Sequence, residues 1–599
     1  MAKLMDPRFK AGDDFYDEEF YRCYERIGYP KQWIDESKGY APGDSYIISH
    51  PSWYLGEMPA IPGVSIYGLF KETVNRHPDD TAIIFLDKKI TYRDLDTAIG
   101  KYAALLKDLG IKKGDVVAAM LPNSLQHWVA FYGAAQIGAI HTPINAMYQE
   151  EEIAYQVGDS GAKIILVLDL LYERVKRLKE DKKIEHIIVT NVKDFAADDA
   201  VIPQAIKPLW DIPKQKIDGT LDFFESIEKY APLKESFECR PEDDIALLLY
   251  TAGTTGRSKG VIETHFNLVY NSLTHFHVME KLLGRRKEIH YSIFPMFHTG
   301  GYLLHALPTF YQGGTVIPMP LFDLEETFRI IQTYGVNALC GPPTLYIALT
   351  SREDLLNKYS LKTLEITTAS GGPVPPAVQE KWKGLTGITL SNGWGMTETN
   401  SGGSMCMPGS GREKTESIGY PIYGEMKIVD DSGRVVARNE HGEILFRGLQ
   451  VARGYWNKPE ETRETFQSDG WLRTGDRGYI DEDDFVYFVD RIKDLIIASG
   501  YNIAPVEVEN VLYQHPAVSE AAVVGIPHEY RGETVKAFIV LRDEFKGKVG
   551  EEEIIDFCKS KLATFKVPRV VEFRDTLPKN LIGKILRRVL REEEVRRAK

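Results

Sequence analysis

The segment Tyr250-Thr251-Ala252-Gly253-Thr254-Thr255-Gly256-Arg257-Ser258-Lys259-Gly260 is rich in groups that bind phosphate, and it directly follows an apolar run at residues 245–249. Its glycines let successive backbone N–H groups converge on an anion, and Lys259 adds a positive charge. It is not a Walker loop, because that pattern has Gly before the Lys and Ser or Thr after it, whereas here Ser258 precedes and Gly260 follows. Alone, the segment fits a phosphate site or a flexible surface turn.

The hydrophobic pattern around this loop alternates between strands and helices. Thr91 and Asp94 form a predicted capping box, and apolar residues then recur at helical spacing until Gly110. A strand at 116–120 and a helix at 124–137 follow, and a second alternating set begins at residue 245. Strands and helices that alternate with short connections predict a parallel sheet with crossover helices.

The hydrophobic pattern of the sequence changes after about residue 410. Short strands punctuated by glycine predict a small antiparallel, β-barrel-like region, and the last ~110 residues predict a compact α+β unit. We therefore predict an α/β protein with an N-terminal extension at 1–63, a large domain of stacked βαβ-type sheets at 64–490, and a small α+β C-terminal domain at 491–599.

Composition excludes several classes of protein. Hydrophobic residues make up 43% and charged residues 27% of the 599-residue chain, as in ordinary globular proteins, and the net charge of −13 argues against general nucleic-acid binding. Polar residues interrupt the apolar stretch at 116–144, so it reads as core and no transmembrane segment is expected. The five cysteines have no metal-binding spacing and read as reduced thiols, which favours a cytoplasmic location.

Five further segments combine residues of unusual chemistry. In the first, a glycine turn follows an apolar strand, which is where open α/β sheets bind ligands. In the second, an aromatic residue able to stack on a base stands four positions before a carboxylate able to bind Mg²⁺. The third ends in an Asp of the kind that accepts hydrogen bonds from ribose hydroxyls. Each also has a plainer reading as a tight turn, a solvated linker or an exposed lysine. The segments are 369–375 (ASGGPVP), 392–398 (NGWGMTE), 471–476 (WLRTGD), 490–494 (DRIKD) and 578–584 (PKNLIGK).

Taken in this order, the segments resemble those of the adenylate-forming superfamily of acyl-CoA synthetases, luciferases and peptide-synthetase adenylation domains. The resemblance covers residues from about 64 to 588 and is closest to the medium- and long-chain fatty acyl-CoA ligases. The chain departs from the pattern at Ser258, where the family usually has Pro, and at Trp394, where most relatives carry Tyr. Stacking on adenine survives the second exchange.

The resemblance implies a role for each matching residue. Lys584, Lys259, Glu398 and His298 form the implied catalytic set, with Glu398 and Thr251 on Mg²⁺ and His298 as a gate between the CoA channel and the acyl pocket. Asp476 and Arg491 would hold the ribose, and Lys493 would be the hinge about which the C-terminal domain at 491–599 moves as a mobile lid. The full implied cofactor-binding set is Thr251, Gly253, Thr254, Thr255, Gly256, Gly371, Gly372, Pro373, Trp394, Gly395, Thr397, Asp476, Arg491, Lys493 and Gly500.

The function that this resemblance implies is ATP-dependent ligation of a carboxylic acid to CoA through an acyl-AMP. ATP, Mg²⁺ and CoA are the implied cofactors and co-substrates. Acetyl-specific relatives block the acyl pocket with a Trp where this chain has Gly395, and segment 294–301 lacks the Asp that amino-acid-activating relatives use. We therefore expect a medium- or long-chain fatty acid, or a similar acid.

Two other functions are weighed against this one. The first is an acyl-AMP ligase that delivers to a carrier protein, and the second, from a different class, is a P-loop phosphotransferase. The failed Walker pattern counts against the second, and its product would be ADP in place of AMP and pyrophosphate. A homodimer and peripheral membrane contact stay open at this point.

Overall fold

The structure is a computed structural model that describes residues 47–49, 61–251, 257–284, 287–304, 306–372, 374–407, 413–414, 416–498, 501–528, 531–580 and 583–598. Within these residues the strands are β1 (Ile48–Ser49), β2 (Thr81–Phe85), β3 (Lys88–Thr91), β4 (Val116–Met120), β5 (Ile140–Pro143), β6 (Ala162–Leu168), β7 (His186–Thr190), β8 (Leu221–Asp222), β9 (Ile245–Thr251), β10 (Lys259–Thr264), β11 (Ile289–Ser292), β12 (Thr315–Pro318), β13 (Ala338–Gly341), β14 (Ile366–Ala369), β15 (Leu390–Trp394), β16 (Ser404–Met405), β17 (Tyr420–Pro421), β18 (Gly424–Val429), β19 (Gly442–Gly448), β20 (Leu472–Ile480), β21 (Val486–Arg491), β22 (Ile496–Ala498), β23 (Tyr501–Ile503), β24 (Val518–His528), β25 (Gly532–Leu541) and β26 (Val570–Phe573).

The α-helices of the described residues lie between these strands and at the C-terminal end. They are α1 (Ile66–Arg76), α2 (Tyr92–Asp108), α3 (Leu125–Ile137), α4 (Glu150–Ser160), α5 (Lys176–Glu180), α6 (Lys207–Trp210), α7 (Phe223–Ile227), α8 (His265–Leu283), α9 (Ala306–Tyr311), α10 (Leu324–Tyr334), α11 (Pro343–Ser351), α12 (Glu353–Lys358), α13 (Pro376–Thr386), α14 (Pro459–Thr465), α15 (Pro505–Leu512), α16 (Glu551–Lys559) and α17 (Arg587–Ala598).

Two large sheets form the body of the molecule. One is seven-stranded with the order β10-β9-β5-β4-β6-β7-β8, and the other is nine-stranded with the order β17-β16-β15-β14-β13-β11-β12-β2-β3. Most neighbouring strands within them are parallel, for example β4 with β5 and β6, and β13 with β14. The predicted parallel sheets with crossover helices are therefore confirmed.

Helix α3 shows how the two sheets share a core. Every residue of this helix is buried, and its C-cap is Gly138 in the left-handed conformation, directly after the predicted helix at 124–137. A helix that is apolar all round must be covered on all sides. Its side chains belong to one hydrophobic cluster with residues of β4 and β6 from one sheet and β2 from the other. The interpretation of 116–144 as core is confirmed.

Local sequence signals fix several element ends. Thr91 and Asp94 form the predicted capping box at the start of α2, with Thr91 Oγ1 accepting from the Asp94 backbone N–H. Residues 196–218 are mostly loop and contain the short helix α6. Pro208 occupies the first turn of α6, where its missing N–H costs nothing.

Two smaller sheets follow. One has the order β1-β18-β19-β20-β21 with antiparallel pairing, and the other has the order β23-β22-β25-β24 with β26 beside β25. The first is the predicted antiparallel region, and the second, with α15, α16 and α17, is the smaller C-terminal unit. The mixed α/β fold with a large and a smaller part is therefore confirmed, whereas the domain boundaries at 63 and 490 stay predictions. Most of the N-terminal extension lies outside the described residues.

Candidate active site

Strands β9 and β10 carry the two ends of the glycine-rich loop. They pair in antiparallel register with Lys259 opposite Thr251, so the loop's hydroxyl and its lysine start from neighbouring backbone positions. Gly253, Thr254, Thr255 and Gly256 lie outside the described residues, and their roles stay predictions.

Tyr455 connects Lys259 with Glu398. The Lys259 Nζ lies 4.9 Å from the centre of the Tyr455 ring, and the Tyr455 hydroxyl donates to Glu398 Oε1 at 2.7 Å. Segment 454–456 runs beside β10, where the Trp456 N–H donates to the Gly260 carbonyl at 2.7 Å. One aromatic side chain thus joins Lys259 and Glu398, which lie 139 positions apart in the sequence. Sequence reasoning missed Tyr455, because a tyrosine after a glycine signals nothing by itself.

Glu263 is a second buried carboxyl near Glu398. It is fully buried at the far end of β10 from Lys259. Burial raises the pKa of Glu263 well above its usual range, and the neighbouring Glu398 carboxylate raises it further. Glu398 differs from Glu263 in that its Oε1 accepts a hydrogen bond from the Tyr455 hydroxyl. Sequence reasoning missed Glu263 as well.

Asp476 and Trp394 meet at the predicted nucleotide side of the site. The Trp394 indole Nε1 donates to Asp476 Oδ2 at 2.8 Å. Asp476 lies opposite Arg491 in the β20–β21 register, and the Arg491 Nε is 3.4 Å from Asp476 Oδ1. Burial raises the pKa of Asp476, and the Arg491 charge opposes that rise. The structure thus brings the predicted adenine and ribose residues together.

Two glycine segments border these residues. Gly371 follows β14 with φ +88°, a conformation that favours glycine, so the predicted turn at the end of this strand is present. A Cβ atom at Gly395 would lie 2.6 Å from the Ser401 carbonyl oxygen, so Gly395 is also required by backbone packing. Thr397 starts the short 3-10 turn that carries Glu398, Gly372 lies beside Gly371, and Pro373 lies outside the described residues.

Lys584 reaches the same site from the C-terminal unit. The preceding Gly583 has φ +72°, and a Cβ atom there would lie 2.5 Å from Thr344 Oγ1, so the turn approaches helix α11 closely. The Lys584 side chain keeps contact with solvent, yet the protein around it and then the Arg491 charge lower its pKa to about 8, while Asp476 opposes this shift. Lys584 is therefore electrostatically coupled to both residues predicted to bind the ribose.

His298 is also influenced by the charge of Lys584. Burial lowers the pKa of His298 to about 4, and the charge of Lys584 contributes to that shift. The Gly300 N–H is 3.1 Å from His298 Nδ1, and the ring stacks on Phe294 with centres 6.5 Å apart. His298 is therefore a neutral imidazole held in one orientation at the start of the π-helical turn Gly300–Leu304.

Lys493 follows Arg491 by two residues. It is exposed in the 3-10 turn Ile492–Asp494, directly after β21. Its predicted role as a hinge stays a prediction, as does the role of Gly500, which lies outside the described residues.

Comparison with known proteins identifies the family. Residues 70–456 match the family described as AMP-binding enzyme, and residues 507–584 match the AMP-binding enzyme C-terminal domain. The chain belongs to the AMP-binding enzymes. This AMP-binding enzyme is 39% identical to the long-chain-fatty-acid–CoA ligase of Bacillus subtilis over 92% of its own length and 98% of that protein.

Solved structures give the same result. The anthranilate CoA ligase AuaEII in complex with anthranoyl-AMP matches with a TM-score of 0.79 at 27% identity, over 90% of this AMP-binding enzyme and 99% of that chain. ATP-bound MatB from Rhodopseudomonas palustris matches with a TM-score of 0.77 at 28% identity, over 88% and 99%. The resemblance inferred from the motifs is confirmed, and these similarities support ATP-dependent acid–CoA ligation through an acyl-AMP.

The helices of the described residues include none that combines the length and the apolar character needed to cross a membrane. The described cysteines, Cys239, Cys340, Cys406 and Cys558, are free thiols. A cytoplasmic location, peripheral membrane contact and a homodimer stay expectations from the sequence.

Proposed function

We propose that this AMP-binding enzyme activates a medium- or long-chain fatty acid with ATP and transfers the acyl group to CoA, with release of AMP and pyrophosphate. The observation that carries the proposal is the convergence of the predicted nucleotide residues, since Asp476 accepts from the Trp394 indole at 2.8 Å, has Arg491 beside it, and influences the pKa of Lys584. A cation near these residues would neutralise charge where the acid meets the α-phosphate.

The first half-reaction joins the acid to AMP. A carboxylate oxygen attacks the α-phosphorus, the bond from that phosphorus to the bridging oxygen breaks, and pyrophosphate leaves with the electron pair. The nucleophile is already ionised at neutral pH, so this step needs no general base. The protein must position two anions and neutralise charge. Lys584 supplies positive charge at the carboxylate and α-phosphate, and Lys259 supplies it at the departing phosphates.

The residues present fit a magnesium ion. Mg²⁺ is bound in proteins by one or two carboxylates together with substrate phosphates and water. Glu398 offers an oriented carboxylate, since the Tyr455 hydroxyl fixes Oε1, and Thr251 offers a hydroxyl beside Lys259. When bound, the ion would neutralise the charge that develops on pyrophosphate.

The second half-reaction moves the acyl group to CoA. The thiolate attacks the acyl carbon, the bond from that carbon to the AMP oxygen breaks, and AMP leaves. His298 is neutral at physiological pH because burial lowers its pKa, so it presents an uncharged ring at the predicted gate. An uncharged gate suits both an apolar acyl chain and the neutral pantetheine arm of CoA.

The preference for longer acids is proposed from relatives and from the site. The relatives named long-chain-fatty-acid–CoA ligases include those of Bacillus subtilis and Escherichia coli O157:H7, the second at 35% identity. Segment 294–301 contains no carboxylate that would pair with an amino-acid ammonium group. An apolar tail is the substrate class that these features fit.

Pyrophosphate release measured across straight-chain acids from C2 to C18 and across aromatic acids tests the proposal. We expect kcat/KM to rise with chain length beyond acetate and to peak at a medium- or long-chain acid. Acetate preferred over octanoate and palmitate, or an aromatic acid preferred over both, would contradict the proposed substrate. Formation of ADP in place of AMP would contradict the reaction.

A further inference from the structure

We propose that Trp394 is a positioning residue for nucleotide recognition, because its indole N–H orients the Asp476 carboxylate toward the ribose hydroxyls of ATP. This inference rests on the proposed function, since it assigns the specificity of the same site for its nucleotide. It gives Trp394 a role that the expected stacking on adenine does not include.

The first support is the bond itself. The indole Nε1 donates to Asp476 Oδ2 at 2.8 Å, and the exposed fractions of the two residues are 8% and 3%. Trp394 ends β15 in the nine-stranded sheet, whereas Asp476 belongs to β20 in an antiparallel sheet. A buried hydrogen bond to a carboxylate is among the stronger ones in proteins. The bond therefore fixes the distance between the adenine side and the ribose side.

The second support is the other oxygen of the same carboxylate. Asp476 Oδ1 is buried and has no hydrogen-bond partner among the described residues, although the Arg491 Nε lies 3.4 Å away. Buried acceptors in native proteins are nearly always satisfied. The hydroxyls of a ribose are donors of the right kind for an acceptor that its own protein leaves open. With Oδ2 held by the indole, Oδ1 faces a ligand in one fixed orientation.

The third support is that the indole cannot turn away. A Cβ atom at Gly403 would lie 2.4 Å from Trp394 Cε3, so the Gly403 backbone lies directly against the ring. The ring centre is 6.2 Å from that of Phe446 on the opposite sheet. Close packing therefore holds the indole N–H toward Asp476 in the absence of nucleotide, so the orientation exists before ATP binds.

The chain offers a matched control at Trp382. Its indole Nε1 also donates to a buried acceptor, Thr367 Oγ1, at 3.0 Å, and its exposed fraction is 1%. Trp382 lies in helix α13 and belongs to a different hydrophobic cluster from Trp394. W382F therefore removes a buried indole hydrogen bond without touching Asp476.

The experiment compares W394F and W382F with the wild-type enzyme in acid-dependent pyrophosphate release. The KM values for ATP, 2′-deoxy-ATP and 3′-deoxy-ATP are measured with one acid, and the Kd values of the three nucleotides are measured by calorimetry. We expect W394F to raise the KM and Kd of ATP about tenfold, the size expected for a hydrogen bond to a charged group. The values for the deoxy-nucleotides should rise less than about twofold, so the preference for ATP over them falls about fivefold. W382F should leave that preference unchanged.

An unchanged preference in W394F, or an equal fall in W382F, would overturn the inference. If W394F does not fold, W394L is measured in its place. It also lacks a donor for Asp476, so the preference for ATP over the deoxy-nucleotides should again fall about fivefold. Wild-type pyrophosphate release and the calorimetric Kd values together distinguish failure of the proposed function from failure of this inference. Failure of the proposed function would remove pyrophosphate release for every acid in the wild-type enzyme, whereas failure of this inference leaves that activity intact and the nucleotide preference unmoved.

Discussion

Replacing Tyr455 by phenylalanine removes one hydroxyl from the site and keeps the ring beneath Lys259. The lost bond joins that hydroxyl to Glu398 Oε1 at 2.7 Å, and both residues are buried. Hydrogen bonds to charged groups are worth ~1.5–3 kcal/mol. Since 1.36 kcal/mol is a factor of ten, we expect kcat/KM for ATP in the presence of Mg²⁺ to fall about 10- to 100-fold.

The assay is pyrophosphate release with ATP varied at saturating acid and at several Mg²⁺ concentrations. We expect Y455F to need more Mg²⁺ for half-maximal activity, because its Glu398 carboxylate is no longer oriented. Y67F is the matched control, since the Tyr67 hydroxyl donates to Asp96 Oδ1 at 3.0 Å and lies outside the site. A change of less than about twofold in Y455F, or an equal loss in Y67F, would refute the reasoning.

Three more predictions concern Lys584 and the preceding Gly583. Lys584→Ala should lower the rate of acyl-AMP formation about a hundredfold or more, while thioester formation from preformed acyl-AMP changes little, and equal loss of both steps would contradict this. The pKa of Lys584 is lowered to about 8, so its protonated form is lost as the pH rises through that value. We therefore expect kcat/KM for adenylation to fall above about pH 8, and a flat profile to about pH 9.5 would argue against a role of the Lys584 charge in adenylation. Gly583→Ala should impair adenylation more than Gly433→Ala, since both glycines have positive φ but only a Cβ at Gly583 would meet Thr344; equal effects in rate assays would show that strain alone matters.

Much of the fold follows from local signals that act within a few residues. Helix α2 begins at Thr91 because the Thr91 and Asp94 side chains satisfy free N–H groups, and α3 ends at Gly138 because glycine adopts the left-handed conformation. These choices depend on neighbours in the chain, so the sequence alone predicts them.

The site is only partly predictable, because its decisive contacts join distant parts of the chain. The sequence predicts that Trp394 stacks on the adenine of the nucleotide. Its hydrogen bond to Asp476, 82 residues away, could not be predicted because it depends on how two sheets pack together. Tyr455 could not be predicted, since its partner Glu398 lies 57 residues away in a 3-10 turn and its ring reaches Lys259 on β10. From the sequence, Glu263 is expected on the solvent-facing side of a strand, whereas the structure shows it buried.

The most direct test of the central claim is rapid quench of the enzyme with ATP, Mg²⁺ and palmitate in the absence of CoA, with the products identified by mass spectrometry. We predict palmitoyl-AMP and pyrophosphate in a 1:1 ratio, up to about one equivalent per active site, followed by palmitoyl-CoA and AMP when CoA is added. ADP with phosphate as the products, or thioester formation without a preceding acyl-AMP, would contradict the account.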